Sequence, residues 1–379
     1  ANSIQVYQVD KAGNQSDVWQ SPQVQIITTP PEVKTVQLKS GYDTGLSDTD
    51  MVTNKQTLVF EGTLEGSVEK VTVTLNGAPV DVTVTGSTWE YAAPVNLAAG
   101  DYTFTIYATD IAGNVSETVS KPVVIDTSKP DAPTDIVLTT DSGTQNDDKT
   151  NVTKPTFQGN AEANAQVKMV FDLGNSVTKT YTTTADNSGS WSLTLSEDLP
   201  EGALSYIATT TDVAGNESDT SASGSITIDT TPPTVTNVEL YDASDVKLDD
   251  WMTNDATGNF KLTGTVEANA TVYVYKNGSA LGNATTDGSG NFEYAFNIGT
   301  FAEGTYSIKV QGKDDADNLS TAFTKQLVVD RSIELTGGLD RGSDSGVADG
   351  DGITSDTTPT FSGTTDPLAT VTIQIGGTS

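Results

Sequence analysis

The chain has 379 residues, which is too long for one ordinary domain and predicts about two to four of them. Its 51 acidic residues face only 19 lysines and arginines, so the formal net charge of −32 argues against nucleic acid or anionic lipid as a partner and favours multivalent cations. The absence of cysteine and histidine excludes disulfides and thiolate metal sites, and it removes the commonest general base.

Residues 1–29 contain the first copy of a recurring segment. Asp10–Ser16 reads Asp-Lys-Ala-Gly-Asn-Gln-Ser, and its pattern returns at Asp110–Ser116, at Asp212–Ser218 and, in a degraded form, at Asp314–Ser320. The copies are spaced by about 100 residues, which is the size of an immunoglobulin-type sandwich. We therefore expect residues 1–29 to be the C-terminal strands of a preceding repeat, and the chain to be an internal piece of a very large protein.

A proline-containing connector follows each copy of this segment. Ile125–Pro130 and Ile228–Pro233 are nearly the same, whereas Ile27–Pro31 and Val329–Ser332 are weaker matches. Because proline fixes φ and removes a backbone donor, these segments are predicted to be short, stiff linkers between domains. They delimit complete immunoglobulin-like repeats at residues 30–127, 128–230 and 231–331, and they leave 332–379 as the N-terminal strands of a following repeat.

An acidic segment lies soon after each connector. Segments 43–54, 141–151 and 344–355 all begin with Asp, then Ser or Thr, then Gly, and they end on Thr-Asn or Thr-Ser. The last of these copies contains Asp349. Residues 242–254 are a looser copy of the same acidic segment. Three motifs that repeat in one order and at one period are strong evidence for tandem domains.

Between these motifs the sequence alternates with a period of two, as expected of half-buried strands. Val, Thr, Ile and Tyr dominate, helical periodicity is absent, and Asn76-Gly77 is a hairpin signal. Strands of the first complete repeat are predicted at Val33–Leu38, Thr57–Glu61, Val68–Leu75, Val80–Thr85, Thr88–Val95, Tyr102–Thr109 and Val119–Ile125. The predicted fold is all-β, with tandem immunoglobulin-like seven-stranded β-sandwiches arranged as an extended rod.

Aromatic residues recur at equivalent places in the repeats. Trp89, Trp191 and Phe292 are predicted to be core residues rather than platforms for a ligand. Tyr102 and Tyr306 each follow a glycine by two residues, a pattern that resembles the tyrosine corner of immunoglobulin-like domains. In that corner the tyrosine hydroxyl donates a hydrogen bond to the backbone a few residues upstream.

The topology of such a sandwich brings the acidic motifs together. The loop between the last two strands faces the preceding domain, the loop between the first two faces the following domain, and the connector lies between them. The predicted metal ligands between the first and second repeats are Asp43, Asp48, Asp50, Asp126, Asp212 and Asn216. Those between the second and third repeats are Asp141, Asp147, Asp148, Asp229 and Asp314. The set is completed by Asp242, Asp249, Asp250 and Asp330 after the third repeat, and by Asp110 and Asn114 before the first.

Clustered carboxylates repel one another unless a cation binds or some of them become protonated. Calcium accepts six to eight oxygen ligands in flexible geometry, and carboxylates, asparagine side chains and backbone carbonyls all supply such oxygens. Zinc is disfavoured because the chain has neither His nor Cys. The sequence therefore predicts Ca²⁺ at the junctions. The alternative at each motif is that Asp, Gly and Asn simply form turns.

The chain resembles the bacterial Ig-like repeats of giant type I-secreted non-fimbrial adhesins, of the enterobacterial epithelial-adhesin type. The residues that carry this resemblance are the Asp-x-Ala-Gly-Asn segments, the Ile-Asp-Thr connectors, and Pro155–Gly159 with its second copy at Pro359–Gly363. The resemblance implies a rod of many domains with calcium at their boundaries. It also implies secretion to the bacterial cell surface and a role in virulence, as the non-enzymatic stalk of an adhesin.

Two other functions stay open. Trp251 lies in an early loop where the other repeats have no tryptophan, and it would support a glycan- or receptor-binding module. Paired carboxylates can hydrolyse glycosides. However, the same aspartates recur in every repeat, and this argues against a single catalytic pair.

The expected partner is a host-cell surface glycan or receptor, bound through other parts of the parent protein. No nucleic acid is expected, and no membrane insertion either, because no stretch approaches the roughly 18 apolar residues of a membrane span. We expect the chain itself to be monomeric. Head-to-tail pairing of the incomplete terminal repeats is the alternative.

Overall fold

The computed structural model describes residues 3–345, 347–348, 350–366 and 369–374, so Asp349 lies outside the described residues. Within these ranges the regular structure is all β apart from a 3-10 turn at Ile298–Thr300, which confirms the predicted all-β class. Strands form where apolar and polar residues alternate. In Val59–Glu65, for example, Phe60, Gly62 and Leu64 face the core. No helix in the described ranges is long and apolar enough to cross a membrane.

The first repeat is built from two sheets. The strands up to its end are β1 (Gln5–Val6), β2 (Trp19–Gln20), β3 (Glu32–Val33), β4 (Gln37–Leu38), β5 (Val52–Thr53), β6 (Val59–Glu65), β7 (Lys70–Leu75), β8 (Val80–Val82), β9 (Val84–Thr85), β10 (Thr88–Ala92), β11 (Gly100–Thr109) and β12 (Val119–Ile125). One sheet has the order β3-β6-β10-β9, with β4 also paired to β6, and the other has the order β5-β12-β11-β7-β8. The two strands that precede the repeat, β1 and β2, pair with each other.

The second repeat follows the same plan. Its strands are β13 (Thr134–Leu138), β14 (Lys149–Thr150), β15 (Thr156–Asn160), β16 (Gln166–Asp172), β17 (Thr178–Thr184), β18 (Ser190–Thr194), β19 (Gly202–Thr211) and β20 (Gly224–Ile228). One sheet has the order β13-β15-β18. In the other, β19 pairs with β16 and β20, and β16 also pairs with β17.

The third repeat again has two sheets. Its strands, and those after it, are β21 (Thr236–Tyr241), β22 (Met252–Thr253), β23 (Asn259–Thr265), β24 (Thr271–Lys276), β25 (Ser279–Thr285), β26 (Asn291–Asn297), β27 (Gly304–Lys313), β28 (Phe323–Val329), β29 (Leu335–Leu339) and β30 (Phe361–Thr365). The sheet orders are β21-β23-β26 and β22-β28-β27-β24-β25. The last two strands, β29 and β30, form an antiparallel pair.

Contacts divide the chain into two compact units. One unit contains residues 1–140 and 153–228, and the other contains 141–152 and 229–379. The acidic loop of the second repeat, with β14, therefore packs with the third repeat.

The strand prediction for the first complete repeat misses the short strand β5, whose counterparts in the next two repeats are β14 and β22. These strands have only two residues, so they show no alternation that a pattern search can recognise. Both β5 and β22 run parallel to the last strand of their own repeat. They place the end of the acidic loop beside the connector, where the Asp126 N–H donates to the Thr53 carbonyl at 2.9 Å.

The first strand of each repeat is interrupted. The predicted strand Val33–Leu38 is split into β3 and β4, and the register of β13 and β21 shifts at the same place. Asp135 and Asn237 have φ of +51° and +52° there, a conformation that Asp and Asn adopt more readily than most residues. The irregularity bends the edge strand and is typical of a β-bulge.

Each complete repeat encloses its own hydrophobic core. Trp89, Trp191 and Phe292 are 2%, 4% and 3% exposed, which confirms that they are core residues. The hydroxyl groups of Tyr102 and Tyr306 donate to the carbonyls of Ala98 and Ala302, both at 3.0 Å. These bonds confirm the two predicted tyrosine corners.

Candidate cation sites at the repeat junctions

The Asp-x-Ala-Gly-Asn segments are tight loops that hold themselves together. In the first repeat the Asp110 Oδ1 atom accepts hydrogen bonds from the Ala112 and Asn114 N–H groups at 2.9 and 2.8 Å, and Oδ2 accepts from the Asn114 side chain at 2.8 Å. The side-chain bond from Asn114, followed by the backbone bonds, lowers the pKa of Asp110 below its ordinary value. Gly113 adopts φ of +87°, so the motif requires a residue that tolerates this conformation.

The asparagine of each segment reaches the connector that precedes its repeat. The side-chain amide groups of Asn114, Asn216 and Asn318 donate to the carbonyls of Ile27, Asp126 and Asp229 at 3.1, 2.8 and 2.8 Å. The sequence prediction includes Asn114 and Asn216 but omits Asn318, although the same residue type stands at the same place in the degraded copy. These amides fasten the loop to the linker between two repeats.

A second set of contacts joins this loop to the acidic loop of the preceding repeat. The Thr44 hydroxyl donates to the Ala214 carbonyl at 2.8 Å, and the Asn54 amide donates to the Gly215 carbonyl at 3.1 Å. Gly45 has φ of +105°, and a Cβ atom there would lie 2.1 Å from the Val213 carbonyl oxygen. The backbones therefore approach so closely that only glycine fits.

The hydroxyl bond and the close glycine contact recur where the loop 141–152 meets the third repeat. Ser142 takes the place of Thr44 and donates to the Ala316 carbonyl at 2.6 Å. The Thr144 N–H donates to the Asp315 carbonyl at 3.0 Å. A Cβ atom on Gly143 would lie 1.9 Å from the Asp315 carbonyl oxygen. We name these two sets of contacts the first and second latch.

The first aspartate of each Asp-Ser/Thr-Gly segment has one oxygen with no partner. The Oδ2 atoms of Asp43, Asp141 and Asp344 accept from the N–H groups of Met51, Asn146 and Gly350, at 3.1, 2.5 and 2.6 Å. Their Oδ1 atoms are buried and receive no hydrogen bond from the described residues. A buried carboxylate oxygen without a partner is unfavourable, and it suits a bound cation.

Negative charges add to this effect at Asp43, which is 8% exposed. Burial raises the pKa of Asp43 above its ordinary value, and the nearby charges of Asp50 and Asp48 raise it further, whereas the Met51 N–H opposes the shift. The other two acidic side chains predicted in this loop therefore both act on Asp43. A cation held there would relieve the repulsion.

Other predicted ligands occupy turns or ion pairs. Asp50, Asp147 and Asp250 each accept from the backbone N–H two residues later, at 3.0 to 3.1 Å, at the start of the short strand. The Oδ1 atom of Asp242 accepts from two backbone N–H groups of its own turn, and Asp249 lies 3.3 Å from the Lys247 ammonium. Within the described ranges, no side-chain hydrogen bond or ion pair joins Asp48, Asp148 or Asp330 to another predicted ligand.

Within the described ranges, no group of three or more acidic side chains is arranged to hold a metal ion. Asparagine side chains and backbone carbonyls are also calcium ligands, and both are present beside the connectors at Asn216 and Asn318. The donor set is therefore made of oxygens of the kind that calcium binds. The assignment of the individual ligands stays a prediction.

Comparison with protein-family models gives one family, described as the bacterial Ig-like domain, which matches residues 29–127, 129–230, 231–331 and 333–379. The chain belongs to the bacterial Ig-like domain family. Tandem Ig-like repeats of the predicted kind are thereby established. A search of curated proteins finds no match for this Ig-like chain.

Solved structures similar to this bacterial Ig-like chain include parts of three adhesion proteins. The tetra-tandem repeat from the extending region of a large adhesion protein is 23% identical, with 87% of this chain and 80% of that chain covered and a TM-score of 0.27. A 1.5-MDa bacterial ice-binding adhesin is 20% identical over 80% of this chain and 98% of that chain, with a TM-score of 0.29. A Ca²⁺-stabilized adhesin of an Antarctic bacterium is 22% identical over 86% and 81%, with a TM-score of 0.31.

The predicted metal ligands do not include two glutamates of these Ig-like repeats, Glu162 and Glu267. Partial burial raises the pKa of Glu162, and the charges of Asp212, Asp126 and Asp131 raise it further. Burial also raises the pKa of Glu267, although the Lys149 ammonium opposes that shift. Both residues are exposed overall, so solvent partly screens these charges. Glu-Ala-Asn-Ala occurs at 162–165 and again at 267–270, a repetition that identifies both residues.

Trp251 is not available as a platform for a sugar ring. It is 2% exposed and packs in the core of the third Ig-like repeat, with its ring 5.9 Å from that of Phe323. The Lys325 ammonium lies 5.1 Å from the indole ring. The unusual tryptophan is therefore explained by packing, as expected of a residue that closes the end of a sandwich.

Proposed function

We propose that this chain is a non-enzymatic stalk segment of a bacterial cell-surface adhesin, in which Ca²⁺ bound at the junctions makes the rod stiff. The segment would lie outside the cell after type I secretion. A host-cell glycan or receptor would be bound by other parts of the parent protein. Membership of the bacterial Ig-like family and the tandem arrangement support the stalk role.

The calcium proposal rests on one observation, a carboxylate oxygen without a hydrogen-bond partner that recurs at the same position in three loops. Asp43, Asp141 and Asp344 stand at equivalent positions, and each has a buried Oδ1 atom without a hydrogen-bond partner among the described residues. A chance defect would not recur at one position in every Asp-Ser/Thr-Gly loop. Each loop therefore offers a buried carboxylate oxygen of the kind that a cation would bind, and Asp48 and Asp50 add negative charge at the first of them.

The protein would supply two kinds of group around the cation. The loop carboxylates neutralise its charge, and connector carbonyls and asparagine side chains add neutral oxygens. Bound calcium supplies the positive charge that lets these acidic groups stay close together. Because the ligands come from two repeats and their linker, one orientation of the repeats would bind best. Binding at 100 times Kd would then stabilise that orientation by about 2.7 kcal/mol per site.

Small-angle X-ray scattering tests this proposal directly. The chain would be measured in EGTA, in millimolar Ca²⁺ and in millimolar Mg²⁺. We expect the maximum dimension to increase with Ca²⁺ alone, since magnesium demands a stricter octahedral geometry. Identical profiles in all three buffers would refute the stiffening mechanism and would leave the aspartates as turn-forming residues.

A further inference from the structure

The first and third repeats each contain one parallel pair of strands. β5 pairs with β12 at Val52–Thr53, and β22 pairs with β28 at Met252–Thr253. Within residues 30–127 and 231–331, which the structure describes throughout, the other strand pairs are antiparallel. The parallel pair is therefore the place where an early strand of the repeat is bonded directly to its last strand.

Backbone hydrogen bonds hold the parallel pair of the first repeat at both of its ends. The Val124 N–H donates to the Met51 carbonyl at 3.0 Å, and the Asp126 N–H donates to the Thr53 carbonyl at 2.9 Å. Thr53 and its register partner Ile125 are 0% and 1% exposed. Water cannot replace these bonds while the strands stay in place, so breaking them leaves buried groups without partners.

The third repeat has the same bonds at the same positions. The Val328 N–H donates to the Trp251 carbonyl and the Asp330 N–H donates to the Thr253 carbonyl, both at 2.9 Å. Thr253 and its register partner Val329 are 7% and 1% exposed. The acidic segments of these two repeats differ in sequence, so the recurrence follows from the backbone and not from particular side chains.

The direction of the strands determines how this pair responds to tension. A pull on the chain reaches β5 from its N-terminal side and β12 from its C-terminal side. Because the two strands are parallel, this pull slides one along the other, and the bonds between them must break together. The bonds of an antiparallel hairpin that is pulled open from its free ends break one after another. β3 and β4, which precede β5, pair with β6 and can detach without releasing β12.

We infer that the parallel pair is a mechanical clamp, which resists unfolding of its repeat when the chain is pulled. This inference rests on the proposed stalk role, because a stalk between a cell and an attached surface carries tension. It adds that resistance to tension comes from backbone bonds within the repeat itself. Removal of Ca²⁺ would leave these bonds in place, so the clamp is expected to act in EGTA as well.

A proline that is already present in β12 shows how the clamp can be tested. Pro122 lies two residues before Val124, and backbone N–H groups of alternate residues point to the same edge of a strand. β5 pairs only with Val124 and Ile125, so the edge of β12 at position 122 needs no donor. Proline therefore suits this edge of the strand wherever no clamp bond is made.

Single-molecule pulling of the full chain at constant force tests the clamp, because forced unfolding reports the unfolding rate. Handles would be attached at Ser3→Cys and Gln374→Cys, since the chain has no native cysteine. Each complete repeat should unfold in one step. Val124→Pro removes the bond to the Met51 carbonyl and should make one of these steps about tenfold faster. Ser120→Pro places proline on the same edge of β12 without breaking a clamp bond, and it should leave every rate unchanged.

The outcomes separate the clamp from the calcium proposal. The clamp is refuted if Val124→Pro changes no rate, if Ser120→Pro accelerates the same step equally, or if the acceleration occurs in Ca²⁺ and is lost in EGTA. Scattering profiles that do not respond to Ca²⁺ would refute stiffening by calcium, whereas an accelerated step in EGTA would still support the clamp. If Val124→Pro prevents the first repeat from folding, one step is missing, and Val328→Pro then applies the same test to the third repeat.

Discussion

The first and second junctions share one hydrogen bond and one close glycine contact, and they differ in the charged side chains beside them. In both, a hydroxyl group from an Asp-Ser/Thr-Gly loop bonds to a carbonyl of the next Asp-x-Ala-Gly-Asn loop, by way of Thr44 or Ser142. A glycine allows the close approach in both, at Gly45 and Gly143. Only the second contains a lysine beside the connector aspartate.

This difference separates two tasks. The latch determines where the loops meet, because backbone contacts and hydrogen bonds are directional. The charged side chains affect the free energy of holding the two loops together, and that free energy depends on the ions in solution. The two junctions thus share these backbone contacts and differ in the ion pair beside the connector.

The largest expected effect concerns the latch itself. In Gly45→Ala the new Cβ atom would lie 2.1 Å from the Val213 carbonyl oxygen, whereas Gly41→Ala places an alanine at a similar φ of +84° with nothing within 4 Å. The positive φ destabilises both variants, because alanine rarely adopts it. Only Gly45→Ala must also push the two loops apart, which should lower the free energy of unfolding by a further amount of about 1–3 kcal/mol. Spin labels at Thr83→Cys and Thr180→Cys would report this, since the chain has no native cysteine.

In the Gly45→Ala chain the measured distance distribution between the labels should broaden, and in the Gly41→Ala chain it should stay narrow. Equal broadening in both would show that the φ strain matters and the close approach does not. Equally narrow distributions would mean that the first latch does not orient the repeats.

The second largest expected effect concerns the Oδ1 atom of Asp43, which has no hydrogen-bond partner among the described residues. Asp43→Asn keeps the shape of the side chain but lacks the charge that attracts a cation, so the first junction should lose most of its calcium-dependent stabilisation, about 2.7 kcal/mol at 100 times Kd. Thermal unfolding of the full chain in EGTA and in Ca²⁺ measures this difference. Asp101→Asn, an exposed change within β11, is the matched control and should retain the full shift. An unaltered calcium shift in Asp43→Asn would exclude this residue as a ligand.

A smaller effect concerns the hydroxyl of the first latch. Thr44→Val removes the hydrogen bond to the Ala214 carbonyl and should cost about 1 kcal/mol, whereas Thr44→Ser retains the hydroxyl group and should cost less. Urea unfolding of each variant gives the two free energies. Similar losses in both variants would assign the effect to the methyl group rather than to the hydrogen bond.

The smallest expected effect concerns an exposed ion pair, which is compared with the less exposed pair of Lys149 and Asp229. Lys39 and Glu90 form an ion pair at 2.6 Å, but their side chains are 42% and 54% exposed, so Lys39→Met should leave the free energy of unfolding almost unchanged. Lys149→Val, which disrupts the least exposed pair, should have the larger effect in EGTA. Unfolding of both variants at the same urea concentration would contradict the prediction that Lys149→Val has the larger effect.

Much of the fold follows from the sequence pattern. The alternation in Thr88–Val95 and Tyr102–Thr109 predicts strands that overlap β10 and β11, and the aromatic period predicts the buried Trp89 and Trp191. The isolated two-residue strand β5 could not be predicted, because two residues have no period. Trp251 also needed the structure, since an isolated tryptophan in a loop suits a binding surface as well as a core.

The candidate sites divide in the same way. Repetition along the chain identifies the acidic loops, and the topology of a sandwich brings them to the connectors. Whether each aspartate bonds to its own turn, as Asp110 does, or has a free oxygen, as Asp43 does, depends on atomic distances. Sequence spacing does not specify such distances.

The sequence by itself determined the period of about 100 residues, the all-β class and the excess of negative charge, because these are properties of order and composition. Only the tertiary structure decided that Lys149 lies beside Asp229 and that the Thr53 carbonyl accepts a hydrogen bond from the Asp126 N–H. These neighbours are separated by more than seventy residues of chain in each repeat. They meet because a short strand pairs in parallel with the last strand, and that long-range pairing leaves no local signal in the sequence.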